Sequence, residues 1–133
     1  MDPESIEILV DTSVWIAAVL REPNFQALVL QMAEVKTVWI AAPSLVEAFV
    51  VIERRRVPDG AKRLDELLRG SKAEILPFGA VQARLAHEAF QRYGKGRHPA
   101  GLNFGDCLSY AAAKSRGARL LYVGDDFAQT DLA

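Results

Sequence analysis

The sequence predicts an α/β domain with a central parallel sheet flanked by helices. Three observations carry this. Short aliphatic runs alternate with longer segments of helical periodicity, the aliphatic runs lack polar alternation, as strands buried on both faces do, and single acidic residues recur where those runs end. In sheets of this kind, ligands bind outside the carboxyl ends of the strands.

Ile6 to Val10 is the first strand and Asp11 follows it directly. From Ser13 to Leu20 the pattern is helical, and Pro23-Asn24 separates it from a second helix whose apolar face is Phe25, Leu28, Val29, Met32 and Val35. Thr37 to Ala42 is the second strand. Pro43-Ser44 opens a helix carrying Leu45, Phe49 and Ile52, which ends in Arg54-Arg55-Arg56 before Pro58. Asp59 is expected to cap a short helix with Leu64, Leu67 and Leu68 inward, closed by Gly70. Ala73 to Leu76 is a third strand. Val81 to Tyr93 is a helix with Leu85, Ala89, Phe90 and Tyr93 as its apolar face and Gly94 as its stop. A polar loop, Lys95 to Asn103, leads to a helix from Phe104 to Arg116 ended by Gly117; Arg119 to Val123 is the last strand, followed by Gly124-Asp125-Asp126.

With 133 residues, 50% hydrophobic and 25% charged, the chain is expected to be one domain, residues 1–133. Folding should leave about 6,900 Å² of the roughly 21,000 Å² exposed by the unfolded chain, enough burial for a core without staples. The single cysteine, Cys107, excludes an internal disulfide, and two histidines, His87 and His98, make no Cys/His zinc cluster, so any metal must be held by oxygen. The net charge of -1 does not announce a nucleic-acid binder, although cations gather at Arg54 to Arg56, at Lys62-Arg63 and across Arg92, Lys95, Arg97 and His98. No apolar run nears the length of a membrane span, and the first five residues lack the basic and apolar regions of a signal peptide. A cytoplasmic protein without a membrane partner is expected.

Four acidic positions map to the carboxyl edge of the sheet: Asp11 after the first strand, Glu47 in the helix after the second, Asp106 in the first turn of its helix, and the Asp125-Asp126 pair after the last strand. Each has a structural reading taken alone. Asp11 suits an N-cap, Ser44 with Glu47 fits an S-x-x-E capping box, Asp106 complements a helix dipole, and Asp125-Asp126 are turn residues after Gly124. Together they imply more, because carboxylates sharing one crevice repel unless a cation offsets their charge. Mg²⁺ and Mn²⁺ prefer such oxygen ligands, and the chemistry suits phosphodiester hydrolysis.

Asp11-Thr12-Ser13 after an apolar strand, Glu47, Asn103-Phe104-Gly105-Asp106-Cys107 and Gly124-Asp125-Asp126-Phe127 resemble the motifs of PIN-domain proteins, and more closely those of the VapC-type toxins of bacterial toxin-antitoxin pairs. The resemblance covers nearly the whole chain, leaving a few residues before Ile6 as an extended start. It implies a PIN-like three-layer sandwich and a Mg²⁺- or Mn²⁺-dependent endoribonuclease cutting structured RNA, commonly transfer or ribosomal RNA. It also implies a homodimer held inactive by a VapB-type antitoxin in a heterotetramer or larger assembly. Carried over by residue, Asp11 and Asp106 match the principal metal ligands, Glu47 the third acid, and Asp125 or Asp126 the fourth. Turn preferences and Phe127 favour Asp126 as the catalytic acid, with Asp125 kept beside it among the metal ligands. Thr12, Ser13 and Asn103 match polar neighbours that orient ligands or water.

A haloacid-dehalogenase phosphatase would need an aspartate where Ser13 stands, and a response-regulator receiver would need a lysine after its last strand, where Gly124-Asp125-Asp126 stands. The alternative of another class is a catalytically silent PIN-like module that binds RNA or protein; loss of an acid would favour it, and none is missing. Cys107 reads as a small apolar filler, His98 as a solvated residue or phosphate contact, and Trp15, Trp39 and Tyr110 as core residues.

Overall fold

The computed structural model describes residues 5–133; residues 1–4, most of the expected extended start, lie outside the described residues. The elements run β1 (Glu7–Val10), α1 (Thr12–Leu20), α2 (Phe25–Ala33), β2 (Thr37–Ala41), α3 (Ala42–Arg54), α4 (Gly60–Gly70), β3 (Glu74–Leu76), α5 (Ala80–Tyr93), α6 (Phe104–Arg116) and β4 (Arg119–Leu121). All strand pairs are parallel, in the order β3-β2-β1-β4. Each expected element is present, with ends displaced by at most two residues; the last strand stops at Leu121 rather than Val123.

Strand alternation divides the core into two layers around the sheet. Ile8 and Val10 of β1, with Val38 and Ile40 of β2, face a cluster completed by Val14, Trp15, Val19, Ala48, Ile52 and Leu64 from α1, α3 and α4. Leu9 and Ala41 point to the other side, against Ala112 and Ala113 of α6. The small side chains of Ala111, Ala112 and Ala113, all fully buried, let α6 lie close on the sheet. A further apolar cluster, with Ala89, Tyr93, Leu102, Cys107 and Phe127, joins α5 and α6 to the segment after β4. Trp15 and Leu9 are entirely buried; truncating such a leucine to alanine typically costs about 2–5 kcal/mol.

Four local expectations are corrected. Asp59 sits at the N-cap of α4 but its side chain makes no cap hydrogen bond, because its backbone is left-handed (φ 54°). Phe90, expected inward, is 38% exposed, since α6 covers only part of the apolar stripe of α5. Trp39 is half-buried rather than core: its indole N–H donates to Glu7 Oε1 at 2.7 Å and the Arg116 guanidinium lies over its ring. His98 is not a solvated residue; its Nδ1 accepts the Ala100 N–H at 3.0 Å and its ring meets Tyr93 edge-on, so it folds the loop before α6.

Candidate active site

Asp11 leaves the carboxyl end of β1 with extended backbone (φ -68°, ψ 154°), and its N–H reaches Leu121 O of β4 at 2.9 Å. Its side chain caps α1 as expected, accepting the Ser13 N–H at 3.1 Å on Oδ2. The Ser13 hydroxyl also donates to Oδ2, at 2.6 Å, and accepts the Val123 N–H at 3.1 Å, so Ser13 joins Asp11 to the segment leading to Asp125 and Asp126. Ser109 Oγ donates to Asp11 Oδ1 at 2.5 Å from α6. Both carboxylate oxygens therefore have fixed donors, and the side chain is 5% exposed.

Glu47 arrives from α3. The Ser44–Glu47 capping box does not form: α3 begins at Ala42 with Ala41 as its cap and Pro43 in its first turn, which places Ser44 inside the helix and fully buried. Freed from that role, Glu47 accepts the Thr12 hydroxyl on Oε1 at 2.7 Å, linking α3 to the start of α1. Its carboxylate also lies against Gly105: a Cβ there would stand 3.0 Å from Oε1 and closer still to Oε2. Glycine at 105 thus makes the space in which an acid from α3 meets the first turn of α6.

Asp106 and Asn103 form the capping box that opens α6, with Asp106 N–H to Asn103 Oδ1 at 2.8 Å and Asn103 N–H to Asp106 Oδ2 at 3.0 Å. Burial pushes the Asp106 carboxyl up from its ordinary value near 3.8 to about 7. A hydrogen bond from Asn103 opposes this, while the hydrogen-bonded carboxyl and charge of Asp126, then the charge of Asp11, add to it. Of the pair, it is Asp126 whose carboxyl acts on Asp106. Gly124 (φ 95°) takes the left-handed turn that redirects the chain after β4 toward it. The structure brings Asp11, Glu47, Asp106 and Asp126 to one edge of the sheet, with Thr12, Ser13 and Asn103 each bonded to one of the acids.

The donor chemistry of this edge suits a hard divalent ion. The groups are carboxylate oxygens, one of them, Asp106, driven toward its neutral form first by burial and then by neighbouring carboxylates, and an added cation would favour its ionised form. Among the described residues no three carboxylate, histidine or cysteine side chains are drawn into a closed coordinating group. Among them, too, no helix is long and apolar enough to cross a membrane.

The PIN-domain family profile matches residues 8–132. A curated relative, "Ribonuclease VapC" of Mycolicibacterium smegmatis, is 40% identical over 126 residues, covering 95% of this chain and 98% of the relative. The chain belongs to the PIN-domain family, in its VapC branch. "Ribonuclease VapC30" of Mycobacterium tuberculosis is 37% identical over 126 residues, 95% of this chain and 96% of that one. Among solved structures, Mycobacterium tuberculosis VapC20, described as a toxin that cleaves the sarcin-ricin loop, superposes with a TM-score of 0.72 at 21% identity, covering 95% and 98% of the two chains. VapBC2 of Rickettsia felis, bound to a DNA fragment from its promoter, gives 0.71 at 19% identity over 96% and 95%. These two share the VapC fold with this chain.

Within this VapC-type pocket, sequence reasoning missed Ser109. Its signal was its spacing: three residues after Asp106 on a helix, it shares that residue's face. Cys107 is the filler it was read to be, 3% exposed, with burial first and then the Asp106 charge pushing its thiol up to about 11. Trp15 is core, and Tyr110 is buried with its hydroxyl given to Asp131 at 2.6 Å.

Proposed function

We propose that this chain, acting as one domain, is the toxin of a type II toxin-antitoxin pair, a Mg²⁺- or Mn²⁺-dependent endoribonuclease that hydrolyses phosphodiester bonds in structured RNA, tRNA or rRNA. The observation that carries the reading is the convergence of acids on one sheet edge: Asp11 is tied by Ser109 to α6, Asp106 lies in the first turn of that helix, and Glu47 stands against Gly105 beside it, a grouping suited to a cation. The VapC ribonucleases that share 37 to 40% of its residues support the activity.

In this reading Asp11, Glu47, Asp106 and Asp126 are the catalytic acids, and Asp11, Asp106 and Asp126 would hold the ion with Asp125 at its rim. A divalent ion there would lower the pKa of water and offset charge developing on the phosphoryl oxygens. Ser13 and Ser109 fix the Asp11 carboxylate, and Asn103 fixes Asp106. Thr12 holds Glu47 by Oε1, leaving Oε2 turned toward Gly105 to take a proton from the attacking water.

Partners follow from the same family. The VapBC2 structure supports a VapB-type antitoxin partner; a heterotetramer or larger assembly with it is part of the same proposal. A groove of about 570 Å³ between α5 and α6, lined by Phe78, Phe90, Phe104 and Leu108, with Phe104 79% exposed, is an apolar face suited to a protein partner; the homodimer remains part of the proposal. The deciding experiment incubates the protein with total RNA in Mg²⁺, Mn²⁺ or EDTA and maps the new ends. Cleavage that needs the metal and disappears in Asp106→Asn is expected; undiminished cleavage in EDTA would sink the metal mechanism. Expression alone should arrest growth and coexpressed antitoxin relieve it, whereas harmless expression of the intact chain with no cleavage would leave a silent RNA- or protein-binding module.

A further inference from the structure

Asp106, Tyr110 and Lys114 follow one another at four-residue intervals on α6 and so share one stripe of its surface. The chain after β4 meets that stripe twice. Asp126 meets Asp106 at the top, a contact between two acids. Asp131 meets Tyr110 and Lys114 below: it accepts the Tyr110 hydroxyl at 2.6 Å, the Tyr93 hydroxyl at 3.4 Å, and pairs with the Lys114 ammonium. Burial alone would raise the Asp131 carboxyl, yet the bonds from Lys114 and Tyr110 outweigh it and hold the group below the ordinary carboxylate range.

The first contact is repulsive when both acids are ionised and the second is attractive, and four residues of compact chain, 127–130, join them. Phe127, 1% exposed, stacks obliquely on Tyr122 at 5.1 Å; Thr130 Oγ1 donates to Phe127 O at 2.8 Å and accepts the Leu132 N–H at 3.2 Å. Upstream, Gly124 at φ 95° is a pivot through which Asp126 could swing away from Asp106 if the far end were loose. We propose that Asp131 is a positioning residue for the acidic pocket: its ties to Tyr110 and Lys114 hold the chain end on α6 and thereby keep Asp126 beside Asp106, ready for a shared divalent ion. The inference rests on the metal-dependent reading above.

The test is the dissociation constant for Mn²⁺, measured by calorimetry on the full chain, with the metal-free melting temperature recorded in parallel. Asp131→Asn keeps the shape and removes the charge; it should weaken Mn²⁺ binding about 10- to 100-fold, the usual cost of removing an outer-shell partner. Tyr110→Phe, which deletes one oxygen, should weaken it in the same direction and serves if Asp131→Asn does not fold. In an Asp126→Asn background, Asp131→Asn should add nothing, because it acts through Asp126. Glu7→Gln, which loosens the Arg116 pair at the end of α6 away from Asp106 without touching Asp131, should leave the constant unchanged. A merely structural Asp131 would lower the metal-free melting temperature and leave Mn²⁺ affinity as in wild type, and that result overturns the proposal. A wild type that takes up no Mn²⁺ overturns the metal reading and this inference with it; wild-type binding matched by both variants overturns this inference alone.

Discussion

Ser109 and Asp11, 98 positions apart in sequence, are joined by a 2.5 Å hydrogen bond in a fully buried setting. The serine lies on α6 and the aspartate at the end of β1, so one hydroxyl couples the helix carrying Asp106 to the strand carrying Asp11. Ser109→Ala would leave a buried carboxylate oxygen without that donor. The expected loss is about 1.5–3 kcal/mol of stability near neutral pH, the range for hydrogen bonds to charged groups, read from urea unfolding. Wild-type stability in the variant would mean that another donor takes over Oδ1.

Gly105 and Glu47 offer a second measurable contrast. Gly105→Ala puts a methyl where the Glu47 carboxylate now sits, so RNA cleavage should fall by at least about tenfold even where the protein still folds. Gly70→Ala at the end of α4, with open space around it, is the matched control: cleavage unchanged and stability equal or higher by about 0.4–1 kcal/mol. Equal activity in the two variants would show that Glu47 has no fixed place in the reaction.

Acid pH should stabilise the metal-free protein through Asp106. The folded state keeps this proton up to about pH 7, whereas the unfolded chain releases it near 3.8. Between those values the folded state binds more protons, so stability declines as pH rises and this contribution is lost above about pH 7. Unfolding in EDTA at about pH 5 and about pH 7.5 should therefore differ more for wild type than for Asp106→Asn, which cannot titrate there. Identical pH profiles for the two would show that Asp106 is ionised throughout.

Asp125 and Asp126 can be separated by paired substitutions. Asp126 is the acid that reaches Asp106, so Asp126→Asn should reduce RNA cleavage at saturating Mn²⁺ more than Asp125→Asn, by at least about tenfold if it is a metal ligand. The reverse order would move the fourth acid to Asp125.

Much of this architecture was legible because each strand is a short aliphatic run and each helix has turn or cap chemistry at its ends. Asp11 and Asp106 were legible for a deeper reason: the cap reading and the pocket reading describe the same residues, since a helix N-terminus at a strand end is also where an acid is useful. Glu47 divided the two readings. Its spacing from Ser44 mimics a capping box, and only the start of α3 at Ala42 turns Ser44 inward and leaves Glu47 for Thr12. The rest was not local. Ser109, the Asp131 ties and the exposure of Phe90 depend on which surface another element covers, and no residue pattern within one segment records that.

The order β3-β2-β1-β4 also bears on how the chain is made. β1 is made before the other strands but stands inside the sheet, and its second neighbour, β4, is the last of the described strands to be made. Until then Asp11 lacks the Leu121 carbonyl and Ser13 lacks the Val123 amide, and although Asp106 precedes β4 in the chain, Asp126 follows it. Long-range parallel pairing of this kind comes late in folding. The acids are therefore brought together and fixed only once the segment carrying β4 and Asp126 has joined the sheet. A chain cut before β4 lacks the backbone partners that fix Asp11 and Ser13, whatever acids it already carries.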